Sequence, residues 1–334
     1  MAGGTDPRPT DPTPADRPAG VRLPAERRWA EIAVLGVMVL WAANFIVVKD
    51  ILGILPPVGF TFLRYFLASL ALLGILRWSE GAIRLPRPDT GRILLLGGLG
   101  FGLYQMLWTV GLQSIPAGDS ALLIAASPVL TAVIAFLIRT DTLNPLKAAG
   151  VVLSFTGVAL VIAAGVGIEL TGSPVGFALT MAAALCWATY TAVAARVMRR
   201  QSPLVLTTWA SIGGTVALAP VGLGQLLSPG ALGPVQAANL PIIIFSVAFS
   251  GLLAAALANV VVFQGVRLLG PTRIMALQSL VPAMAVVLAA IFLSEPIRPV
   301  QVVGGGIIIL GVALIRLASG GPVASHGHVA ATRR

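Results

Sequence analysis

The sequence predicts an all-α integral membrane protein whose ten transmembrane helices form two inverted five-helix repeats. Three observations predict it. Of 334 residues, 57% are hydrophobic and 10% charged, against about 25% charged in soluble domains, so there is too little polar surface to face water. Ten apolar stretches follow one another, each near the roughly 20 residues a helix needs to cross the hydrocarbon core. The chain also repeats itself. Leu40-Trp41-Ala42-Ala43-Asn44 returns as Cys186-Trp187-Ala188-Thr189-Tyr190, and Pro57 and Thr61 return as Pro203 and Thr207, all at an offset of 146. Gly111, Pro128, Pro145, Gly150 and Gly157 return as Gly265, Pro282, Pro299, Gly304 and Gly311 at an offset of 154.

Residues 1–28, rich in Pro, Asp, Arg and Thr, cannot bury enough surface to order themselves and are expected to form a disordered arm. The polar tail at 319–334 reads likewise. The first repeat occupies 29–168, with spans at 30–49, 57–76, 93–113, 118–138 and 146–165. Arg27-Arg28 before the first span resembles the basic region of a signal peptide. The apolar run is too long for one, however, and its pattern returns at Trp187, where no signal can be. The second repeat occupies 169–318, with spans at 174–195, 203–223, 240–264, 272–293 and 300–317. Backbone groups in lipid must be satisfied internally, so each span is a helix. Alternating polarity, the mark of a transmembrane barrel, is absent.

Orientation follows from Lys and Arg. With the N-terminus inside, 19 of the 22 fall on inside segments; Lys49 and Arg298 lie outside, and Arg64 lies within span two. Both termini are therefore expected in the cytoplasm, with the chain in the inner membrane. Five spans per half make the second half enter from the opposite side, so the repeats are inverted, as in secondary transporters. The change of offset places eight extra residues in the uncharged outside connection 224–239.

Arg64 is the one cation inside a span, at a cost of about 2.5–3.5 kcal/mol even on the lenient insertion scale. It reads either as an anchor for a substrate carboxylate through its planar fork, or as a snorkelling side chain that ties helices through backbone carbonyls. Trp41 and Asn44 are three apart and share a helix face, with Trp187 and Tyr190 as repeat mates. Two such pairs line a polar and aromatic cavity, or they pack helices together. Tyr104, Gln105 and Trp108 cluster in span three; Asn259 is the repeat mate of Gln105, and Gln278 lies in span nine. Pro128 and Pro282 sit mid-span in equivalent helices and are expected to kink them, as gating points or as static bends. Gly97-Gly98, Gly213-Gly214 and Gly304-Gly305-Gly306 are expected to admit close helix contacts.

Some functions are excluded or disfavoured. Asp50, Asp119, Asp141, Glu169 and Glu295 all fall at span ends, so no buried proton relay is visible and transport is not expected to depend on an intramembrane carboxylate. There is no P-loop and no Cys/His cluster, so neither cofactor nor metal is expected. The single cysteine, Cys186, can make no intrachain disulfide. The basic residues lie at span ends and not on one patch, which disfavours nucleic acid despite the net charge of +10. A polytopic membrane enzyme is disfavoured by short loops poor in Asp, Glu and His.

Leu40-Trp41-Ala42-Ala43-Asn44-Phe45 with Lys49 resembles the first-span motif of EamA-type members of the drug/metabolite transporter superfamily. Pro57 with Arg64, Phe66 and Ala68 resembles their second span. Ala125 to Leu130 with Pro128, followed by Asp141 and Gly150 to Gly157, resembles their fourth and fifth. Pro282, Glu295, Gln301, Gly304 and Gly311 repeat the arrangement in the second half. Two departures are Asp141, where the family usually carries Glu, and Ala210, which stands at the position equivalent to Arg64. The resemblance implies a secondary transporter of small metabolites, amino acids first and in the export direction, working by alternating access. Drugs or sugar-linked metabolites are the alternative cargo. The expected partners are the small-molecule substrate and the lipid bilayer, with a homodimer left open.

Overall fold

The computed structural model describes residues 24–81, 83, 88–139, 144–166, 173–197, 200–233, 235–270, 274 and 277–319. Most of the expected arm and tail thus lies outside the described residues, as do Asp141 and part of the ninth span. Among the described residues the chain is helical and contains no strand. Nine helices among the described residues are long and apolar enough to cross a membrane.

The helices are α1 (Pro24–Ile51), α2 (Pro57–Glu80), α3 (Thr90–Gln113), α4 (Ala117–Leu137), α5 (Pro145–Val166), α6 (Pro174–Val197), α7 (Pro203–Leu227) and α8 (Ala237–Val266). They are followed by α9 (Leu280–Phe292) and α10 (Pro299–Ser319). Six of them open on proline, whose fixed φ suits the first helical position and whose missing N–H has no intrahelical partner there anyway. α1 starts upstream of the span read from sequence, with Pro24 to Arg28 helical. α9 has 13 residues, shorter than a full crossing.

One end of the bundle gathers the starts of α2, α6 and α10 and is called here the Pro57 end. The other gathers the starts of α5 and α7 and is the Pro203 end. Trp29 and Trp78 both project from the Pro203 end, where amphipathic rings suit a membrane interface. Leu95, Val152, Val216 and Ile291 cover the outside of the bundle with exposed apolar surface, as a lipid-facing wall requires.

Two departures from regular helix were not expected. α3 is π-helical over Gly98–Leu103, and α8 over Phe249–Leu257, which includes the repeat-equivalent positions. The prolines also behave differently from simple mid-helix kinks. α4 is interrupted at Ala125 and Ala126, and Pro128 lies in the first turn of the segment that resumes at Ser127. Ser279, the repeat mate of Ala125, is likewise a turn residue just before α9, which carries Pro282 in its first turn. Proline is tolerated at these places because the chain starts a new helix there.

Close contacts relate repeat mates. The most extensive helix contact joins α5 to α10. A Cβ at Gly150 would lie 2.6 Å from Gly311 O, and one at Gly157 2.6 Å from Gly304 O. Exchanging the mates turns the first contact into the second. At the crossing, Ser154 Oγ donates to the carbonyl of its own mate, Ile308, at 3.2 Å. In α2 and α7, Ser69 Oγ lies 2.9 Å from Oγ1 of its mate Thr215. Gly97 abuts the Ala210 backbone, and Gly251 abuts that of Arg64, the mate of Ala210. Gly213 also makes a backbone contact, against Leu94, but Gly98 makes only an ordinary one and Gly306 faces open space. The glycine expectation therefore holds for part of each run.

Candidate functional site

A cavity of about 410 Å³ lies among the helices, in the size range of small-molecule sites. All ten candidate residues line it: Trp41, Asn44, Arg64, Tyr104, Gln105, Trp108, Trp187, Tyr190, Asn259 and Gln278. So do Pro128 and Pro282. The lining runs from mid-bundle toward the Pro203 end, through Thr191, Ala194, Thr207 and Arg316. Interruption of α4 and the turn at Ser279 bring Ser127 and Ser279 to the same surface.

Arg64 forms the polar floor. Two turns into α2, its side chain is 2% exposed. Nη1 donates to Ser250 Oγ at 2.7 Å, and Nη2 donates to Gln105 Oε1. Ser250 Oγ in turn donates to Asn44 Oδ1 at 2.6 Å. Gln105 Nε2 donates to Tyr65 OH at 2.8 Å. The guanidinium carbon lies 5.0 Å from the Tyr65 ring centre, 5.4 Å from Trp108 and 5.8 Å from Phe60, within reach of cation–π attraction. Nε has no partner, and no carboxylate pairs with Arg64 among the described residues. The fork bonds side chains and not the backbone carbonyls of the snorkelling alternative, and it ties α2 to α3 and α8.

The π-helical segments set this geometry. The first delivers Tyr104 and Gln105 just beyond its end; the second contains Ser250 and ends just before Asn259. Such segments recur at functional sites because the wider turn redirects side chains and frees backbone groups. Ser250, Tyr65 and Arg316 were missed in the sequence. Ser250 is one of two hydroxyls, with Ser246, in an apolar run and has Leu96 as its repeat mate, and Arg316 reads as an ordinary inside-end charge. Asn259 lines the cavity, but its amide donates to Ala255 O in its own helix at 2.6 Å.

An aromatic wall adjoins the floor, since Tyr65 beside Arg64 meets Phe101 edge-on at 5.8 Å. Tyr104 and Trp187 have ring centres 5.2 Å apart, Trp187 and Tyr190 5.3 Å, and Phe101 meets Trp187 edge-on at 5.8 Å.

The Pro57 end is packed shut. Phe45, Ile51, Leu55, Phe60 and Leu112 form one apolar cluster there. Lys49 Nζ donates to the carbonyls of Leu112 at 2.7 Å, Gln113 at 3.1 Å and Ile115 at 2.9 Å, where a cation suits the end of α3. Glu295 accepts from the N–H groups of Ala117 at 2.7 Å and Gly118 at 3.1 Å, where an anion suits the start of α4. Asp119, placed at a span end by the sequence, is nonetheless 0% exposed. It pairs with Arg298 and accepts from Gln301 Nε2 at 2.8 Å. A carboxylate does therefore lie within the apolar bundle, held by two partners outside the cavity.

The model of the EamA-like transporter family matches residues 28–163 and 174–317, one match to each half. The chain belongs to this family. Among its relatives, a probable terminal-alkyne amino-acid exporter of Streptantibioticus cattleyicolor is 30% identical over 284 residues, covering 85% of this chain and 92% of that protein. A probable amino-acid metabolite efflux pump of Salmonella typhimurium is 28% identical, covering 83% and 91%. An uncharacterized transporter of Bacillus subtilis, YyaM, is also 28% identical, covering 84% and 91%. A crystal structure matches with a TM-score of 0.61 at 17% identity, covering 88% of this chain and 99% of that one; this likeness concerns the fold. As an EamA-like chain, the protein is a multi-pass membrane transporter.

Proposed function

We propose that this EamA-like protein exports small carboxylate-bearing metabolites, amino acids first, across the inner membrane. It works as a secondary transporter, by alternating access of two inverted five-helix repeats with both termini in the cytoplasm. The observation that carries this reading is Arg64. A cation buried without an anion in an apolar bundle costs several kcal/mol. A substrate carboxylate entering the cavity supplies the missing charge and accepts from the fork. The two relatives named for amino-acid efflux support the cargo and direction.

The contacts between repeat mates support the inverted arrangement. A twofold axis pairs each contact with its exchanged copy and brings positions on the axis against their own mates, as for Ser154 with Ile308. The Lys and Arg asymmetry supports the topology. With the termini inside, the cavity faces the cytoplasm and the packed Pro57 end faces outside.

Purified protein in liposomes, preloaded with unlabelled amino acid, should accumulate labelled amino acid by counterflow. Absence of counterflow for every amino acid, with robust flux of an uncharged drug or sugar conjugate, would transfer the reading to that alternative cargo.

A further inference from the structure

We propose that Trp108 and Ser120 are positioning residues that tie the arrival of a carboxylate at Arg64 to the opening of the Pro57 end. The inference rests on the export reading above and deepens it, by naming the link between a loaded cavity and its outer seal.

The two residues close a hairpin. Trp108 lies on α3 and Ser120 on α4, either side of the turn at 114–116. Trp108 Nε1 donates to Ser120 Oγ at 3.1 Å, and both residues are buried. Other parts of the chain hold the tip of this hairpin. Lys49 of α1 binds the carbonyls of Leu112, Gln113 and Ile115. Glu295, just before α10, binds the N–H groups of Ala117 and Gly118. Asp119, next to Ser120, is held by Arg298 and Gln301. A Cβ at Gly118 would lie 3.0 Å from Gln301 Nε2, so the first turn of α4 sits hard against α10.

Trp108 also reaches the other way. Its ring lines the cavity, stands 5.4 Å from the guanidinium carbon of Arg64 and meets Phe45 edge-on at 5.3 Å. One side chain thus touches both the cation that awaits cargo and the hairpin that carries the seal.

A ligand shifts a conformational balance only through an interaction that differs between the two states. Here that interaction is cation–π attraction. In the empty carrier the guanidinium draws on the Trp108 face. A carboxylate on the fork offsets that charge and weakens the attraction. The indole gains freedom, its bond to Ser120 loosens, and the first turn of α4 parts more readily from Arg298 and Gln301. Cargo thereby speeds outward opening, and an empty cavity keeps the Pro57 end shut.

The test needs no cargo, because Arg64→Gln imitates the discharged centre. In a Cys186→Ser background, Val281→Cys places a thiol on the cavity wall, on α9 and not on the hairpin. The reagent is a membrane-impermeant maleimide outside right-side-out vesicles washed free of small molecules. Trp108→Phe keeps a ring and loses the donor. It should label about fivefold faster, the factor for one net hydrogen bond. Ser120→Ala should match it, and the two together should be no faster than either alone. Ser120→Thr keeps the hydroxyl and should stay at the parent rate. Arg64→Gln should also speed labelling about fivefold, and should add nothing once Trp108→Phe is present. Ser120→Ala replaces Trp108→Phe in that comparison should the latter fail to insert. Labelling of Arg64→Gln at the parent rate, or an equal Arg64→Gln effect with and without the Trp108–Ser120 bond, would overturn the coupling. So would additive effects of Trp108→Phe and Ser120→Ala. None of these outcomes bears on amino-acid counterflow, by which the export reading stands or falls separately.

Discussion

Arg64 joins two of the sequence's signals that need not have met. Its repeat mate is Ala210, so the charge belongs to one half only, and the hydroxyl that holds it, Ser250, comes from the other half. The candidates Asn44 and Gln105 were legible because they are polar residues in apolar runs; their joint bonding to the Arg64–Ser250 pair was not, since sequence spacing carries no distances between helices. The equivalence of Gln105 and Asn259 was legible too, yet their surroundings differ: one bonds the guanidinium and the other its own helix. Arg64→Lys retains charge but loses the fork. In the counterflow assay it should lower apparent affinity by about tenfold, and Arg64→Gln by about a hundredfold. Equal activity of the Lys variant and the parent would mean that charge alone matters. Asn44→Ala, which frees Ser250, should change substrate preference more than protein abundance; a fall in abundance with unchanged preference would assign Asn44 to packing.

At the level of elements, the interruptions of the helices were the least legible part. A π-helical turn has no residue signature comparable to a cap or a proline, and nothing in Gly98–Leu103 distinguishes it from α-helix. Pro128 and Pro282 marked the right places but suggested bends where the chain restarts its helices. The polar cluster at the Pro57 end was half legible: its acids and bases were all placed at span ends, but their pairing depends on the approach of α10 to α4. That cluster fastens the two halves together on the side away from the cavity. Removing one member of a buried pair costs about 3–5 kcal/mol by stranding the other. Asp119→Asn combined with Arg298→Ala removes both charges and should loosen the seal without stranding either. In a Cys186→Ser background with Ala121→Cys on the cavity wall, a membrane-impermeant thiol reagent added outside should label the double variant severalfold faster than its parent. Equal labelling would show that the apolar packing of Phe45, Leu55 and Leu112 suffices to keep that end shut.

At the scale of the whole molecule, the membrane class and nine apolar spans among the described residues were legible, because apolar runs are local properties that the bilayer reads directly. Reporter fusions after residue 167 should report outside and fusions at residue 200 inside; the reverse at both would place the termini outside and overturn the proposed orientation. The buried guanidinium has a further consequence in electrical terms. With no acid beside it among the described residues, the unloaded centre carries one positive charge, which a monoanionic carboxylate cancels and a zwitterionic amino acid does not. On the proposed topology, shifting the access of the empty centre moves charge relative to the transmembrane voltage, which acts at about 2.3 kcal/mol per unit charge per 100 mV across the full field. A negative interior draws that positive centre toward cytoplasmic access. A polarised cell would therefore hold the empty carrier facing the compartment from which it loads, and with a monoanionic cargo collapse of the potential would slow the return stroke more than the loaded one.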